Sequence, residues 1–358
     1  MKIALFSDTY YPIPDGVSKH LVDYKKELER RGHIVRVYTV FKDEQNNVYG
    51  LPSVKFPLYK EYRMALPVYD LYRDLEKFQP DISHIHTPFV LGTMGYRFSR
   101  KRNIPVVGTY HTDFVNMDNT IEFPFVKSLL NIGFQYNMHL YRKIDAVVSP
   151  SEPMYRQLEN YGVESEVVHV GIDLKPFKYG RIKDEFYLFL GRLTYDKGIL
   201  SVLEAARRMP DKQFKIAGIG PMKNAVEEYA AKYDNIKYLG YVSEEEKIDL
   251  LSRAKILVLP SRAETFGVVY VESMASGTPV IASTESREIG ILKENYNGWF
   301  VKFDNPESIV EKLKFAERQD LKKYGENAYN SSRDYSVEST ADMLIKRYGE
   351  LIEDRKRG

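Results

Sequence analysis

Pro260-Ser-Arg-Ala-Glu-Thr-Phe-Gly-Val-Val-Tyr-Val-Glu-Ser-Met-Ala-Ser-Gly-Thr-Pro-Val-Ile-Ala-Ser283 decides how the rest of the chain is read. An unbroken apolar run, Ile256-Leu-Val-Leu259, precedes it and reads as a parallel strand buried on both faces. A loop, Ser261 to Gly267, follows. A helical pattern then runs from near Val268 to Ala275. Gly277 stands where a glycine ends a helix, Pro279 lies just beyond it, and Pro279 to Ser283 starts the next strand. The unit is strand–loop–helix–strand, the repeat of an open α/β sheet.

Two acids bracket the loop and the helix start, Glu264 and Glu272. Between them Phe266, Gly267, Val268 and Val269 supply the backbone N–H groups that open the helix. Such a terminus carries about half a positive charge and four donors without intrahelical partners, which makes it a phosphate seat. An acid on either side suggests a ligand with hydroxyls at both ends and phosphate in the middle. A nucleotide-sugar fits, with sugar hydroxyls on Glu264, diphosphate at the helix start and the ribose diol on Glu272. Each acid taken singly has a plainer explanation, since carboxylates favour the first turns of helices. A glycosidase pair is disfavoured. Eight helical steps would separate the carboxylates by roughly 12 Å along the axis, against about 5–9.5 Å for a hydrolytic pair.

At 358 residues the chain is too long for one ordinary core and about right for two. A net charge of +2 leaves no overall electrostatic signal for nucleic acid. The absence of cysteine excludes disulfides, thiolate metal sites and a cysteine nucleophile, and fits a reducing compartment. The first residues read as a strand reaching Asp8 rather than as a signal peptide, and no apolar run reaches the roughly 18 residues of a membrane span. A cytoplasmic protein is expected, peripheral at the inner face of a membrane if it touches one.

In chain order, Lys2 to Ser7 reads as a strand and Asp8 to Gly16 as a loop. A helix from about Val17 to Arg31 buries Val17, Leu21, Tyr24 and Leu28, and Ile34 to Val40 is the second strand. No G-x-G-x-x-G fingerprint follows the first strand, which argues against a nicotinamide dinucleotide. Gly16, taken alone, is a turn glycine. Between residues 41 and 80, Lys55, Lys60, Arg63, Arg73 and Lys77 interleave with Phe56, Tyr59, Tyr62, Leu66, Tyr69 and Tyr72. The stretch suits either an anionic membrane surface or a solvated face over ordinary core. Strands are expected at Asp81 to His86 and at Ile104 to Tyr110. The second exits into His111-Thr-Asp113, and the carboxyl ends of parallel strands are where such sheets hold ligands. His111 is therefore a candidate site residue. Asp113 is a further candidate there or a cap for the next segment. A long helical pattern runs from Phe123 to Arg142, and Ala146 to Ser149 and Glu166 to Val170 close the first sheet.

Gly171 to Gly180 carries the Gly/Pro punctuation of an interdomain connection. The alternation then restarts at the strand Phe186 to Leu190. Its exit loop, Gly191 to Gly198, holds Arg192 and Lys197, where two cations can meet charge that develops on a departing phosphate. Gly218-Ile-Gly220 is half a phosphate fingerprint after the strand Phe214 to Ala217, and Ile236 to Leu239 is the next strand. Ser336 is placed to cap a last helix whose apolar face is Val337, Ala341, Leu344, Ile345, Tyr348 and Ile352.

Glu264-x7-Glu272, with Phe266-Gly267 after the first acid and Ala275-x-Gly277-x-Pro279-Val280 after the second, resembles the signature of retaining glycosyltransferases of family 4 (glycosyltransferase group 1). The Arg192/Lys197 spacing, the Gly218-x-Gly220-Pro221 turn and the Gly171-Ile-Asp173 stretch are similar to the same family. The resemblance implies the glycosyltransferase-B fold, an α/β architecture of two Rossmann-like domains facing across a cleft. The expected domains are an acceptor-binding 1–172 joined by helix 337–358, and a nucleotide-sugar-binding 173–336, the terminal helix crossing back to the first domain.

The resemblance also implies roles. Arg192 and Lys197 would hold the diphosphate with backbone from Phe266 to Val269. Gly16, in the place of a family glycine, would let backbone approach the donor phosphate, although the family often has two glycines where this chain has Asp15-Gly16. Gly218 would lie beside the nucleotide, Glu264 would take a sugar hydroxyl, Glu272 the ribose, and His111 would lie close to the transferred sugar. Asp15 and Asp113 are the acceptor-side candidates. Transfer would keep the configuration by front-face substitution, with no cofactor beyond the nucleotide-diphosphate sugar as co-substrate. The His-Thr-Asp-Phe run before an apolar helix is closer to lipid-acceptor members than to soluble-sugar ones, so a lipid or glycan acceptor is expected. No Asp-x-Asp pair supports a metal site. An epimerase or a phosphorylase on the same fold, or a non-catalytic nucleotide-sugar binder, are the alternatives. Sugar, base and acceptor stay open.

Overall fold

The computed structural model describes residues 1–10, 16–43, 46–55, 63–111, 124–262 and 264–357. The candidates Asp15 and Asp113, and Phe56, Tyr59, Lys60 and Tyr62 of the basic–aromatic stretch, lie outside them. The chain divides into two compact units, Met1–Gly171 with Val337–Gly358, and Ile172–Ser336.

The first unit is built on β1 (Lys2–Phe6), β2 (Ile34–Thr39), β3 (Val48–Gly50), β4 (Ser53–Lys55), β5 (Arg63–Ala65), β6 (Ile82–Ile85), β7 (Val106–Thr109), β8 (Ala146–Ser149) and β9 (Glu166–Val167). Seven of these strands pair in the order β3-β2-β1-β6-β7-β8-β9, every pair parallel. β4 and β5 form a separate antiparallel pair inside the stretch that lacked a clear period. β9 ends at Val167, sooner than the expected Val170.

The unbroken apolar character of β1 has a simple cause. Ile3 and Leu5 pack into one core with Leu21, Tyr24 and Leu28 of the helix Gly16–Arg30. Ala4 and Phe6 pack into a second core on the other face, with Leu71, Leu75, Leu91 and Phe98. Both faces of the sheet are covered, so no position on the strand is left for a polar residue.

The second unit repeats the plan with β10 (Phe186–Leu190), β11 (Gln213–Ala217), β12 (Ile236–Gly240), β13 (Ile256–Val258), β14 (Val280–Ser283) and β15 (Gly298–Val301). They pair in the order β12-β11-β10-β13-β14-β15, all parallel. Ile172 and Ser336, the first and last residues of this unit, lie side by side as a parallel bridge, and the Ile172 amide donates to the Tyr335 carbonyl at 3.0 Å.

The helix Val337–Arg357 belongs to the first unit although it follows the second in sequence. Its buried residues are Val337, Thr340, Ala341, Leu344, Tyr348 and Leu351. Thr340 and Leu351 join the expected face, while Ile345 and Ile352 are only partly buried at its margin. The Tyr24 hydroxyl donates to Tyr348 at 3.0 Å, and Tyr348 in turn hydrogen-bonds the ring of His84. Arg31 pairs with Asp342 and donates to the Glu338 carbonyl at 2.8 Å. Among the described residues no helix is long and apolar enough to cross a membrane.

Because Leu344 is almost fully buried in the core that this helix closes, Leu344→Ala should destabilise the first unit by about 2–5 kcal/mol. Denaturant unfolding followed by circular dichroism checks it, with a lower midpoint for that unit's transition as the expected result.

Candidate active site

In the second unit the chain leaves β10 toward one side of the sheet, through β11 and β12, and later returns to place β13 on the other side of β10. The loops after β10 and β13 therefore leave neighbouring strand ends in opposite directions. That is the topological switch point where open α/β sheets hold ligands. The loop after β10 carries Arg192 and Lys197, and the loop after β13 carries Glu264. They are joined twice. The Arg262 amide donates to the Asp196 carbonyl at 2.7 Å. The Lys197 ammonium donates to Glu264 Oε1 in an ion pair whose side chains are both 14% exposed.

Arg192 sits differently. It is exposed, and its guanidinium has no carboxylate partner among the described residues. The two expected cations are thus one neutralised by an acid and one open to an incoming anion.

Gly267, in the left-handed region at φ 89°, turns the chain into the helix Val268–Ala275, and Gly277 follows the helix at φ 67°. The amides of Gly267, Val268 and Val269 precede its first intrahelical bond, from Tyr270 N–H to the Gly267 carbonyl at 2.9 Å. Phe266 is buried against Tyr335, ring centroids 5.8 Å apart. Because the helix begins at Val268, only part of the Glu264–Glu272 interval is helical. The axial-rise estimate of the carboxylate separation therefore does not apply to the whole of it.

Glu272 is buried at 1% exposure and receives Lys247 Nζ at 2.6 Å. Lys247 also pairs with Glu244 at 3.0 Å and lies 5.9 Å from the ring centroid of Phe177. Sequence reasoning missed Lys247. Its helix, Glu244–Arg253, opens with the capping box Ser243/Glu246, and a lysine three residues after Glu244 reads as an ordinary surface pair. Nothing local to it signals Glu272.

Gly218 stands at the end of β11. A Cβ there would come within 1.8 Å of the Gly191 carbonyl oxygen, so only glycine lets the two loops pack backbone to backbone. The Leu193 amide donates to the Ile219 carbonyl, and the Met222 amide to the Leu193 carbonyl, both at 2.9 Å. These contacts hold the loop that bears Arg192 and Lys197.

In the first unit the equivalent switch point lies between β1 and β6. Gly16 is the first residue of the helix Gly16–Arg30. His111 follows β7 and belongs to a group of four imidazoles. Its Nε2 shares a hydrogen with His86 Nδ1 at 2.9 Å. The His86 ring lies 4.0 Å from His84, and His20 lies 5.8 Å from His111, centroid to centroid. His84 Nε2 bonds Thr109 Oγ1 at 2.7 Å, and His20 Nδ1 bonds the Gly171 carbonyl at 3.1 Å. Burial, followed by the neighbouring imidazoles, pushes all but His20 further down: His84 to about 3, and His86 and His111 well below the ordinary value. His20 is lowered by burial against the bond to Gly171. The sequence singled out His111 alone. The other three sit inside strands or on a helix face, where a histidine carries no local mark. Beside them Asp8 is raised to about 6 by burial, against hydrogen bonds from Thr87 and the Ala65 backbone. No group of three or more His, Cys, Asp or Glu placed to hold a metal occurs among the described residues.

Comparison with known proteins places this geometry. Residues 172–331 match the family described as Glycosyl transferases group 1, and residues 14–176 match Glycosyltransferase Family 4. The chain is 32% identical to the alpha-monoglucosyldiacylglycerol synthase of Streptococcus pneumoniae over 318 residues, spanning 79% of this chain and 71% of that one. The protein of the same name from Acholeplasma laidlawii is 28% identical, spanning 100% and 99%. Among solved structures, an Anabaena protein in complex with UDP-glucose has a TM-score of 0.75 at 16% identity, spanning 98% of this chain and 100% of that one. At that identity the likeness speaks for the fold, the glycosyltransferase-B fold.

The four histidines carry a pH signature. Each is neutral when folded at pH 7 and has a lowered folded value, so below about 6.5 the unfolded chain binds protons that the folded chain does not. Stability is then lost as pH falls through 6.5, by up to about 1.4 kcal/mol per pH unit for each histidine. Asp8, whose folded value is raised, works in the opposite direction below about 6 and offsets part of this. Urea unfolding at pH 7.5 and 5.5 should show the first unit's midpoint falling steeply, and a flat midpoint would contradict the neutral cluster.

Proposed function

Since the chain belongs to glycosyltransferase family 4, the group 1 glycosyl transferases, we propose that it moves a hexose, with retained configuration, from a nucleotide-diphosphate sugar to a hydroxyl of a lipid or lipid-linked glycan. The observation that carries this reading is the Lys197–Glu264 pair at the β10/β13 switch point, beside the amides that open the helix Val268–Ala275.

The geometry supports the following roles. The diphosphate sits at the Gly267–Val269 amides, with Phe266 closing the loop. Arg192, exposed and without a carboxylate partner, and Lys197, held in the same loop, meet the charge that develops on the departing phosphate. Glu264 keeps Lys197 compensated before the donor arrives and takes a sugar hydroxyl when it binds. Glu272, buried and oriented by Lys247, takes the ribose diol. Gly218 keeps the cationic loop in register, and Gly16 is assigned to the donor phosphate on the family resemblance. His111, neutral and inside the imidazole group, offers a hydrogen bond to the transferred sugar without adding charge. In the reaction the bond from the anomeric carbon to the phosphate oxygen breaks. The acceptor oxygen bonds that carbon from the same face, and its proton passes to the departing phosphate.

Nucleotide hexoses such as UDP-glucose carry an α linkage, and the Streptococcus relative is named for an alpha-glucosylated diacylglycerol. That supports retention and a diacylglycerol-like acceptor. UDP-glucose, present in the Anabaena complex, is the first donor to try. A lipid acceptor brings a membrane surface with it. Val54 and Met64 on the β4–β5 pair, and Leu66 and Tyr69 just after it, are 44%, 39%, 39% and 71% exposed, near Lys55 and Arg73 in sequence. We assign peripheral contact with an anionic bilayer to this strip.

Slow acceptor-free hydrolysis of a panel of UDP-, GDP- and ADP-sugars tests the donor site. Wild type should turn over one donor, and Glu264→Ala should lose that turnover by about 10²–10³-fold. If no donor is hydrolysed and calorimetry finds none bound, the nucleotide-sugar reading fails. For the surface strip, sedimentation with phosphatidylglycerol vesicles should retain wild type, and Met64→Glu/Leu66→Glu should remain in the supernatant. Equal retention would remove the strip from the membrane contact.

A further inference from the structure

Several buried polar atoms of the first unit have no hydrogen-bond partner among the described residues, and two of them lie at the carboxyl ends of adjacent strands. Asp8 is two residues beyond β1 and 6% exposed. Its amide donates to Thr87 Oγ1 at 2.7 Å, and that hydroxyl donates back to Asp8 Oδ2 at 2.8 Å. This small ring fixes the carboxyl group, the Ala65 backbone also approaches it, and Oδ1 has no partner at ordinary hydrogen-bond geometry. His86 follows β6 and is 2% exposed. Its amide donates to the Phe6 carbonyl at 2.9 Å, its Nδ1 is engaged by His111, and its Nε2 is unpartnered. An unmet buried polar atom costs folding free energy, and native proteins retain few of them without a reason. Both atoms sit at the β1/β6 switch point, where a sheet of this order takes its ligand.

The chemistry of the two atoms narrows what fits them. A carboxylate oxygen without a partner accepts hydrogen bonds and repels anions, which argues against phosphate. Across the His86–His111 contact one proton is shared. If His86 donates it, His86 Nε2 is an acceptor, and if His111 donates it, His86 Nε2 carries a proton and is a donor. A hydroxyl serves either case, because it both donates and accepts. The surrounding imidazoles are held neutral by burial, so among the described residues the histidine side of the site carries no charge.

We propose that Asp8 Oδ1 and His86 Nε2 form the hydroxyl-binding part of the acceptor site and select a neutral polyol head group, such as the glycerol end of a diacylglycerol. This deepens the proposed function and rests on it for the identity of the reaction. The binding itself does not. Asp8 orients an acceptor hydroxyl through its charged oxygen, and His86 acts both on the acceptor and, through Nδ1, on the orientation of His111. Thr87 is the positioning residue that holds the carboxyl group in place.

Two measurements on the full chain separate this inference from the reading it rests on. The first is calorimetric or NMR titration with 1-monooctanoylglycerol below its micellar concentration, without donor. Wild type should bind it, and Asp8→Asn and His86→Phe should each weaken binding about 10- to 100-fold, the loss expected for one hydrogen bond to a charged group or buried ring nitrogen. Equal binding by wild type and both variants, or no binding by wild type, overturns the proposal whatever the donor panel shows. The second is the steady-state split with the hydrolysed donor and 1,2-dioctanoylglycerol as acceptor. For Asp8→Asn the acceptor KM should rise about 10- to 100-fold while the donor KM moves less than about threefold. Parallel changes in both constants, accompanied by a lower thermal midpoint, would make Asp8 a packing residue and overturn the proposal. Should Asp8→Asn not fold, His86→Phe, which keeps the ring volume, carries both readings. Hydrolysis of no donor, together with normal monooctanoylglycerol binding lost in the variants, would retain this site and sink the nucleotide-sugar reading instead.

Discussion

In each unit the first strand lies inside the sheet, and the chain builds outward from it on one side before crossing to the other. Everything functional follows from that placement. A parallel sheet must be covered on both faces, so its central strands offer no side chain to solvent. Their carboxyl ends, where two successive loops diverge, are the only places at which the backbone opens and polar residues gather. β10 and β13 create one such place, with Lys197 and Glu264 on the diverging loops. β1 and β6 create the other, with Asp8 and His86. The two units share a plan, and the plan places their chemistry.

The two ends are furnished in opposite ways. The second unit pairs its two site acids with lysines, the half-buried Glu264 with Lys197 and the buried Glu272 with Lys247. A buried charge is tolerable only when compensated. The helix start adds donors without adding a side chain. The first unit avoids charge. Four histidines pack together and are kept neutral by burial, and burial raises the Asp8 carboxyl beside them. An anionic diphosphate suits the first kind of wall and a neutral hydroxyl the second.

The terminal helix ties this arrangement together within the first unit. Tyr348 receives a hydrogen bond from Tyr24 and bonds His84, whose other nitrogen bonds Thr109 at the end of β7. His84 lies against His86 with the rings tilted, and His86 meets His111. The packing of a helix from the end of the chain thus reaches the imidazoles at the strand ends through Tyr348 and His84.

Much of this was legible before any coordinates. Unbroken apolar runs at β1, β10 and β13, glycines at the loop turns and the Glu264-x7-Glu272 spacing are local signals. They announce doubly covered parallel strands, the helix Val268–Ala275 and its flanking acids, because strand burial, helix start and helix stop depend on neighbouring residues. Lys247 and the histidines at 20, 84 and 86 were not legible as members of a site. Lys247 carries the marks of a surface i,i+3 pair, and the histidines lie within ordinary strand and helix patterns. The sequence by itself determined the α/β class, the chain's division near residues 172 and 336, and which loops hold acids and cations. Only the tertiary structure decided that Lys197 is tied to Glu264 while Arg192 is exposed, that Glu272 is held by Lys247, and that Asp8 and His86 each keep a buried atom without a partner. Those facts depend on contacts between residues far apart in the chain, which no periodicity encodes.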